Sequence, residues 1–388
     1  MEITGIICEY NPMHLGHKKQ LDIVRRQTGT GSGIVCLMSG NYVQRGSPAI
    51  IDKMHRAKAA VLCGADLVLE LPVTCSLSSA EGFAAGGVRL LSGFCHNLCF
   101  GAETADGAAL YEAAEALLST DFPCHLREFL DQGLSFPAAR QSALETMGAD
   151  GSLLQTPNNI LAVEYCKAIL SHGSSMKVIP IVRGGNYHDT QADKDNPSAT
   201  SIRQLMTDGK PWQGFIPQEA AACFRDAVLH TTQAGQRAIL ARLRSMTEED
   251  FSHLPFGSEG LWRKFMHAVR QNASVEDILT AVKSKRYTRT RLDRMMMCAF
   301  LGITQRDLDT PAPYARVLAF NQRGREILKQ ARTSGDFPNI GQPVDHPYQT
   351  LETRCGDLYG LFALNAPEPP GTEKAYRVFV QSENADNQ

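Results

Sequence analysis

At 388 residues the chain exceeds one ordinary core, since a domain usually holds roughly 100–200 residues, so two or more units are expected. With 43% hydrophobic and 21% charged residues it reads as globular rather than disordered or fibrous. A formal net charge of −2 excludes a global basic field, so any binding to nucleic acid requires a local patch.

The first two hundred residues alternate strand and helix signals. A short apolar run at Ile3–Cys8 is a strand, followed by the loop Glu9-Tyr10-Asn11-Pro12. His17–Arg26 reads as a helix with Leu21 and Val24 on one face. A second strand, Gly33–Met38, ends at Ser39-Gly40-Asn41. A helix over Asp52–Cys63 places Met54, Ala57 and Val61 on one stripe, with Asp52 as its N-cap. A third strand at Asp66–Leu71 stops at Pro72. A helix at Ala80–Leu91 and a strand at Leu98–Phe100 follow, then helical segments through Ala108–Ile169 and a fifth strand at Val178–Val182.

Apolar runs separated by helices predict a parallel sheet covered on both faces, an α/β fold of the Rossmann-like kind. Such sheets bind ligands at the carboxyl ends of their strands, near the point where strand order reverses. After about Pro217 the pattern becomes mainly helical, as in Ala234–Ser245 and Leu261–Ala268, with a strand at Val317–Phe320 and a helix at Gly324–Ala331. The expected division is therefore an α/β domain over 1–215 and a mainly helical region over 216–388. The last sixty residues read as turn-rich and Glu383–Gln388 as a frayed tail.

Eleven cysteines, mostly inside apolar runs such as Ile34-Val35-Cys36-Leu37, read as reduced buried thiols rather than a disulfide frame. Cys95-His96-Asn97-Leu98-Cys99 lacks a second ligand pair at zinc-site spacing, so core packing is expected there and no metal site. The opening residues Met1–Gly5 carry no basic segment before an apolar one, and no apolar run approaches the roughly 20 residues that span a bilayer. A cytoplasmic protein with no membrane contact is expected.

The most unusual residues follow the first strand. His14 and His17 stand three apart at the start of a helix and so share one face. Two imidazoles beside a helix N-terminus suit the oxygens of a triphosphate, and Gly16 lets the backbone approach a ligand. Nucleotidyl transfer needs little acid–base chemistry, because positioned donors and cations stabilise the charge that builds on the phosphates. Ser198-Ala199-Thr200 opens a second helix with Arg203 one turn in, again a phosphate-binding combination. Arg45, after a strand end, is either a phosphate contact or a solvated loop charge. Gly101 either clears room for a base or ribose or simply makes a turn. Asn158 and Asn159 precede a helix and either reach a ligand or cap that helix. Lys283, Lys285, Arg286, Arg289, Arg291 and Arg294 form the densest basic cluster, with Tyr287 among them in place to stack on a base. Read alone, a charge run is a solvated helix face; in a chain of net charge −2 it also serves as a footprint for RNA phosphates.

The segment Glu9–His17 resembles the HxGH motif of the nucleotidyltransferase superfamily. Further blocks narrow the resemblance to the bacterial tRNA(Met) cytidine acetate ligases: Ser39–Ile50, Asp52-Lys53, Gly64–Pro72, Phe100–Glu103, Thr156–Leu161, Tyr187-His188-Asp189, Ser198–Arg203 and Lys285–Leu292. They fall in the family's order along nearly the whole chain. Met13, Leu15 and Ser47 depart from it, standing where Phe, Asn and an acidic residue are usual.

The resemblance implies an ATP-dependent acetate ligase. Acetate attacks the α-phosphate of ATP, giving acetyl-adenylate and pyrophosphate, and the acetyl group passes to the N4 amine of the wobble cytidine of elongator tRNA(Met). His14 and His17 are the implied catalytic pair. ATP is expected along Ile7, Cys8, Glu9, Tyr10, Asn11, Pro12, Met13, His14, Leu15, Gly16, His17, Lys18, Lys19 and Gln20. Gly101, Asn158, Asn159, Arg183, Ser198, Thr200 and Arg203 complete that site, with Mg²⁺ arriving on the triphosphate. The basic cluster with Tyr287 is the expected tRNA contact. Two other readings share these residues: a small-molecule adenylyltransferase, which leaves the second half of the chain and its basic cluster unexplained, and a catalytically inactive, ATP-sensing tRNA-binding protein. Oligomeric state is left open.

Overall fold

A computed structural model of the chain describes residues 1–182, 198–333 and 346–382. Arg183, Tyr187-His188-Asp189 and the tail Glu383–Gln388 lie outside them. Five parallel strands come from the first half: β1 (Ile3–Cys8), β2 (Gly33–Ser39), β3 (Leu67–Leu71), β4 (Asn97–Ala102) and β5 (Lys177–Val182). Two come from the far end: β6 (Arg316–Phe320), antiparallel to β3, and β7 (Phe379–Val380), parallel to β6. The order across the sheet is β5-β4-β1-β2-β3-β6-β7. The chain moves outward from β1 on one side, then crosses back to lay β4 on its other side. The reversal therefore falls between β1 and β4, where open α/β sheets hold their ligands.

The apolar runs are explained by burial on both faces. Every residue of β2 and β3 is buried. Strand alternation then sorts side chains between two cores. Ile3, Ile7, Val35, Leu37, Leu67 and Leu69 enter one. Ile6, Ile34, Cys36, Met38 and Val68 enter the other. The helices that cover these faces are capped by side chains, at Asp52 as the sequence predicts. α1 (Leu15–Thr28) starts at His14, and α2 (Lys53–Leu62) at Asp52, whose carboxylate accepts from the amides of Met54 and His55. α3 (Ala80–Leu91) starts at Ser79.

The tail end differs from its sequence reading. Pro347–Tyr359 is a helix, α4, with His346 as N-cap and Pro347 in its first turn. Proline there lacks an N–H that would have no partner anyway, so it starts a helix rather than breaking one. Tyr348, Leu351, Cys355 and Tyr359, at helical spacing, are its buried stripe. The 215/216 boundary runs between the parallel sheet and the helical segments, yet β6 and β7 return to that sheet from beyond it.

The segment between β2 and α2 is consequently enclosed. Tyr42 Oη donates to the Cys355 carbonyl at 3.0 Å, and Tyr359 Oη to that of Ala49 at 2.9 Å. Gly46, at φ +78°, sits so close to the helix Arg289–Leu301 that an added Cβ would lie 2.4 Å from the backbone of Asp293 and Arg294. Among the described residues all cysteines are free thiols, and Cys124 alone is fully exposed. His96, in the CHxxC-like segment, accepts a hydrogen bond from the Ile3 amide through Nδ1 at 3.1 Å, a sheet-edge role.

Candidate active site

The loop leaving β1 is built around donors and acceptors on its own backbone. Arg56, on α2, is fully buried and spends its guanidinium on carbonyls: Nε on Ile51 at 2.8 Å, Nη1 on Glu9 at 2.6 Å and Ser39 at 3.1 Å, and Nη2 on Gly40. It ties the ends of β1 and β2 to the start of α2. Asn11 Oδ1 accepts from the Ile50 amide at 2.8 Å. The Asn11–Pro12 peptide is cis. Tyr10 is buried, and its hydroxyl meets Cys36 Sγ at 3.3 Å.

His14 and His17 form a capping box in which imidazoles stand in for the usual hydroxyl and carboxylate. His14 Nδ1 accepts from the Gly16 amide at 3.1 Å, and His17 Nδ1 accepts from the His14 amide at 3.3 Å. The rings stack with centroids 3.7 Å apart and 26° between planes. Since both Nδ1 atoms accept, each neutral ring carries its proton on Nε2. Two Nε2–H donors are thereby set side by side at a helix N-terminus, which suits phosphate oxygens. Gly16 leaves room for this arrangement: an added Cβ would lie 3.0 Å from His14 Cε1 and 3.1 Å from Nδ1, so the ring would have to shift.

The second phosphate motif joins the first directly. Ser198 caps the helix Ala199–Thr207 by accepting from the Ser201 amide at 3.1 Å. Arg203 Nη1 donates to the Asn11 carbonyl at 2.7 Å and Nη2 to Thr200 Oγ1 at 3.0 Å. Residues nearly two hundred positions apart thus share one rim. Glu9 lies on the same loop; Oε1 accepts from the Gln44 amide at 2.7 Å. Burial pushes its carboxyl above the usual range, against the pull of Arg203, Arg45 and Arg56. Arg45 itself is exposed at the tip of its turn.

At the end of β4, beside β1, Gly101 is half-buried. The asparagines are drawn into a local network there. Glu103 accepts from Asn158 Nδ2 at 2.7 Å, from the Asn159 amide at 2.8 Å and from Thr156 Oγ1 at 2.9 Å. Asn159 Oδ1 in return accepts from the amides of Glu103 and Thr104, at 2.9 and 3.3 Å. Glu103 therefore caps the helix Pro157–Ser171, a role that was one of two alternatives open to the asparagines.

The basic cluster divides. Arg291 is a staple, donating to the Phe256 carbonyl and Ser258 Oγ. Arg289 is paired with Glu276 and Asp293. Arg294 reaches the Gln44 carbonyl at 3.3 Å and lies over the Phe256 ring. Tyr287 is buried, at 9% exposure, with Arg286 and Arg291 against its ring, so the ring belongs to the core and is not offered to a base. Lys283, Lys285 and Arg286 remain exposed, Arg286 in an ion pair with Glu259.

Sequence reasoning missed Arg56, which on a helical wheel looks like one more surface charge. It also missed a buried ion network in which Lys53 Nζ lies 2.7 Å from carboxylate oxygens of both Glu70 and Glu373, with Arg316 on Glu373 as well. Lys53 falls on no basic run, and its partners are distant in sequence, so no local signal marks it.

A parallel sheet whose order reverses at β1, with paired imidazoles on the helix that leaves it, defines a nucleotide-binding domain of the nucleotidyltransferase class. Comparison with known proteins agrees. Residues 1–370 match the family described as HIGH Nucleotidyl Transferase. The tRNA(Met) cytidine acetate ligase of Clostridium novyi is 36% identical, over 94% of this chain and 96% of that protein. The protein of the same name from Clostridium acetobutylicum is 35% identical, over 98% and 100%. Thermotoga maritima TmcAL in its apo form I superposes with a TM-score of 0.90 at 29% identity, covering 98% of this chain and all of that one. The same protein bound with alpha-thio ATP gives 0.87 at 28% identity, with the same coverage. The chain belongs to the tRNA(Met) cytidine acetate ligase family of HIGH nucleotidyltransferase enzymes. No helix among the described residues is long and apolar enough to cross a membrane.

Proposed function

We propose that this protein binds ATP at the β1–α1 loop, activates acetate as acetyl-adenylate, and transfers the acetyl group to the N4 amine of the wobble cytidine of elongator tRNA(Met). The observation that carries the reading is the His14–His17 capping box. It uses Nδ1 of both rings internally and puts a proton on Nε2 of each, a donor of the kind that suits a phosphate oxygen. Arg203, Thr200 and Ser198 supply a second group of donors on the same rim. Acetate attacks the α-phosphate, the bond to pyrophosphate breaks, and fixed donors hold the charge that moves onto the leaving group. Arg183, Gly101 and the Asn158/Asn159 pair are proposed on the base and ribose side.

Magnesium fits as a companion of the nucleotide. Among the described residues no group of three or more His, Cys, Asp or Glu is arranged around a common point, and Mg²⁺ in such sites is held largely by phosphate oxygens and water. Transfer RNA is proposed to reach the helical segments beyond residue 216, with Lys283, Lys285 and Arg286 as the exposed part of the basic cluster. The cytidine must leave the stack, which an anticodon loop permits.

The test is acetate-dependent exchange of labelled pyrophosphate into ATP, run with and without elongator tRNA(Met), followed by detection of N4-acetylcytidine. Exchange that requires acetate and yields the modified nucleoside is the expected result, with His17→Ala abolishing exchange while tRNA binding persists. AMP transfer indifferent to acetate would point to a small-molecule adenylyltransferase. ATP binding with neither exchange nor modification would leave a sensor.

A further inference from the structure

We propose that Glu9 is the base that takes the proton from the attacking cytosine amine, and that its carboxylate selects an amine-bearing base by accepting that N–H. The inference rests on the acyl-transfer reading above. The lone pair of a cytosine N4 amine is delocalised into the ring, and its proton becomes labile only as nitrogen bonds to the acyl carbon. An acceptor must therefore stand beside the acyl group during that step. The paired imidazoles are unsuited to this, because their Nδ1 atoms already accept from Gly16 and His14 and their Nε2 atoms carry protons.

Other carboxylates at the strand ends are committed. Glu103 has both oxygens occupied by Thr156, Asn158 and Asn159, and both oxygens of Glu70 lie on Lys53. Glu9 is different. It directly follows β1, at the reversal of strand order, on the loop that carries His14. Its main-chain oxygen is held by Arg56 at 2.6 Å and Oε1 by the Gln44 amide at 2.7 Å, so the carboxylate is positioned from both ends. No described residue donates a hydrogen bond to Oε2. The charged groups that act on it are Arg203 from the helix Ala199–Thr207, Arg45 from the turn after β2 and Arg56 from α2, and the titratable rings of His14 and His17 follow at the start of α1. Burial makes the carboxyl more basic than an exposed one, against the pull of the Gln44 amide and these arginines. Glu and Asp are also the side chains that accept from cytosine N4 in base recognition.

In the step itself the N4–C bond forms and the acyl carbon–phosphate oxygen bond breaks. AMP leaves with that electron pair, and one N4 proton passes to Glu9 Oε2 and then to water.

Glu9→Gln keeps an oxygen for the Gln44 amide and removes the base. Two rates are measured on the full chain: acetate-dependent pyrophosphate exchange, and single-turnover transfer from preformed acetyl-adenylate to elongator tRNA(Met). The ratio of transfer to exchange should fall by roughly 10²–10⁴-fold, the usual contribution of a general base. The rise of wild-type transfer with pH on the acid side should vanish in the variant, and Glu9→Asp should restore part of the ratio. An unchanged ratio, or equal loss of both rates, would overturn the assignment, the latter by showing that Glu9 only anchors the loop. Wild-type protein that performs neither reaction would overturn the acyl-transfer reading, and this inference with it.

Discussion

Replacing Arg56 by Met tests whether the active-site loop is held from below. The guanidinium reaches main-chain oxygens of Ile51, Glu9, Ser39 and Gly40, with no exposure to solvent. Hydrogen bonds from charged groups contribute roughly 1.5–3 kcal/mol each, which sets a ceiling of about 6–12 kcal/mol for four. Neighbouring carbonyls will relax or find water, and removing one partner of a buried charged network costs roughly 3–5 kcal/mol in practice. Met fills the volume and brings no charge, so a loss of about 3 kcal/mol is expected, at the lower end of that estimate. Burial already lowers the affinity of this guanidinium for its proton, yet the chain keeps it, as its structural role requires. Urea unfolding followed by circular dichroism reads the stability change, and calorimetry with a non-hydrolysable ATP analogue reads the site. Arg56→Lys, with one point charge in place of a fork, should recover less than half. An Arg56→Met protein within about 1 kcal/mol of wild type, with normal nucleotide affinity, would refute the idea that this arginine organises the loop.

Other perturbations probe separate links. Gly46→Ala places a Cβ 2.4 Å from the backbone of Asp293 and Arg294 at φ +78°, so strain and overlap act together; a loss of roughly 2–4 kcal/mol is expected in thermal unfolding, and a neutral result would mean the turn and helix do not pack as described. Gly16→Ala should push the His14 ring aside, weakening nucleotide binding at least tenfold while melting temperature changes little, since the residue is exposed. Burial, reinforced by Glu70, pushes the Glu352 carboxyl up to about 7 from the usual 4.5, against Lys53 and the Val73 amide. The folded protein thus holds a proton that the unfolded chain has released, and stability falls as pH rises between those two values. Glu352→Gln, which keeps acceptors for the Val73 amide and Tyr348, should gain about 2 kcal/mol relative to wild type between pH 5 and pH 8; equal melting curves at both pH values would remove this group from the pH dependence. Replacing Lys283, Lys285 and Arg286 together by Ala should lower the salt dependence of tRNA binding, whereas Arg291→Ala should cost stability and leave the slope unchanged; the reverse pattern would relocate the interface.

Much of the catalytic half was legible from the order of residues alone. Continuous apolar runs, the Asp52 cap and the His14-Leu15-Gly16-His17 segment are local signals, because a helix cap or a buried strand is settled by residues within a few positions of it. The choice of the loop after β1 as the candidate site follows from the same logic, and so does the helix that carries Arg203. What no local pattern contains is pairing between distant segments. β6 adds antiparallel to β3 from nearly 250 residues away, and Arg203 finds the Asn11 carbonyl only because the helix Ala199–Thr207 meets the loop after β1 at the carboxyl end of the sheet. Burial of charge is equally non-local. Nothing near Lys53 or Arg56 in the sequence shows that both are buried, and the C-terminal segment supplies Glu373 as a partner of Lys53. Arg289, Arg291 and Arg294 read as one basic patch until tertiary contacts spend each on a different partner. Sequence determined which groups are chemically able to bind phosphate, while packing decided which charges remain available to meet a substrate.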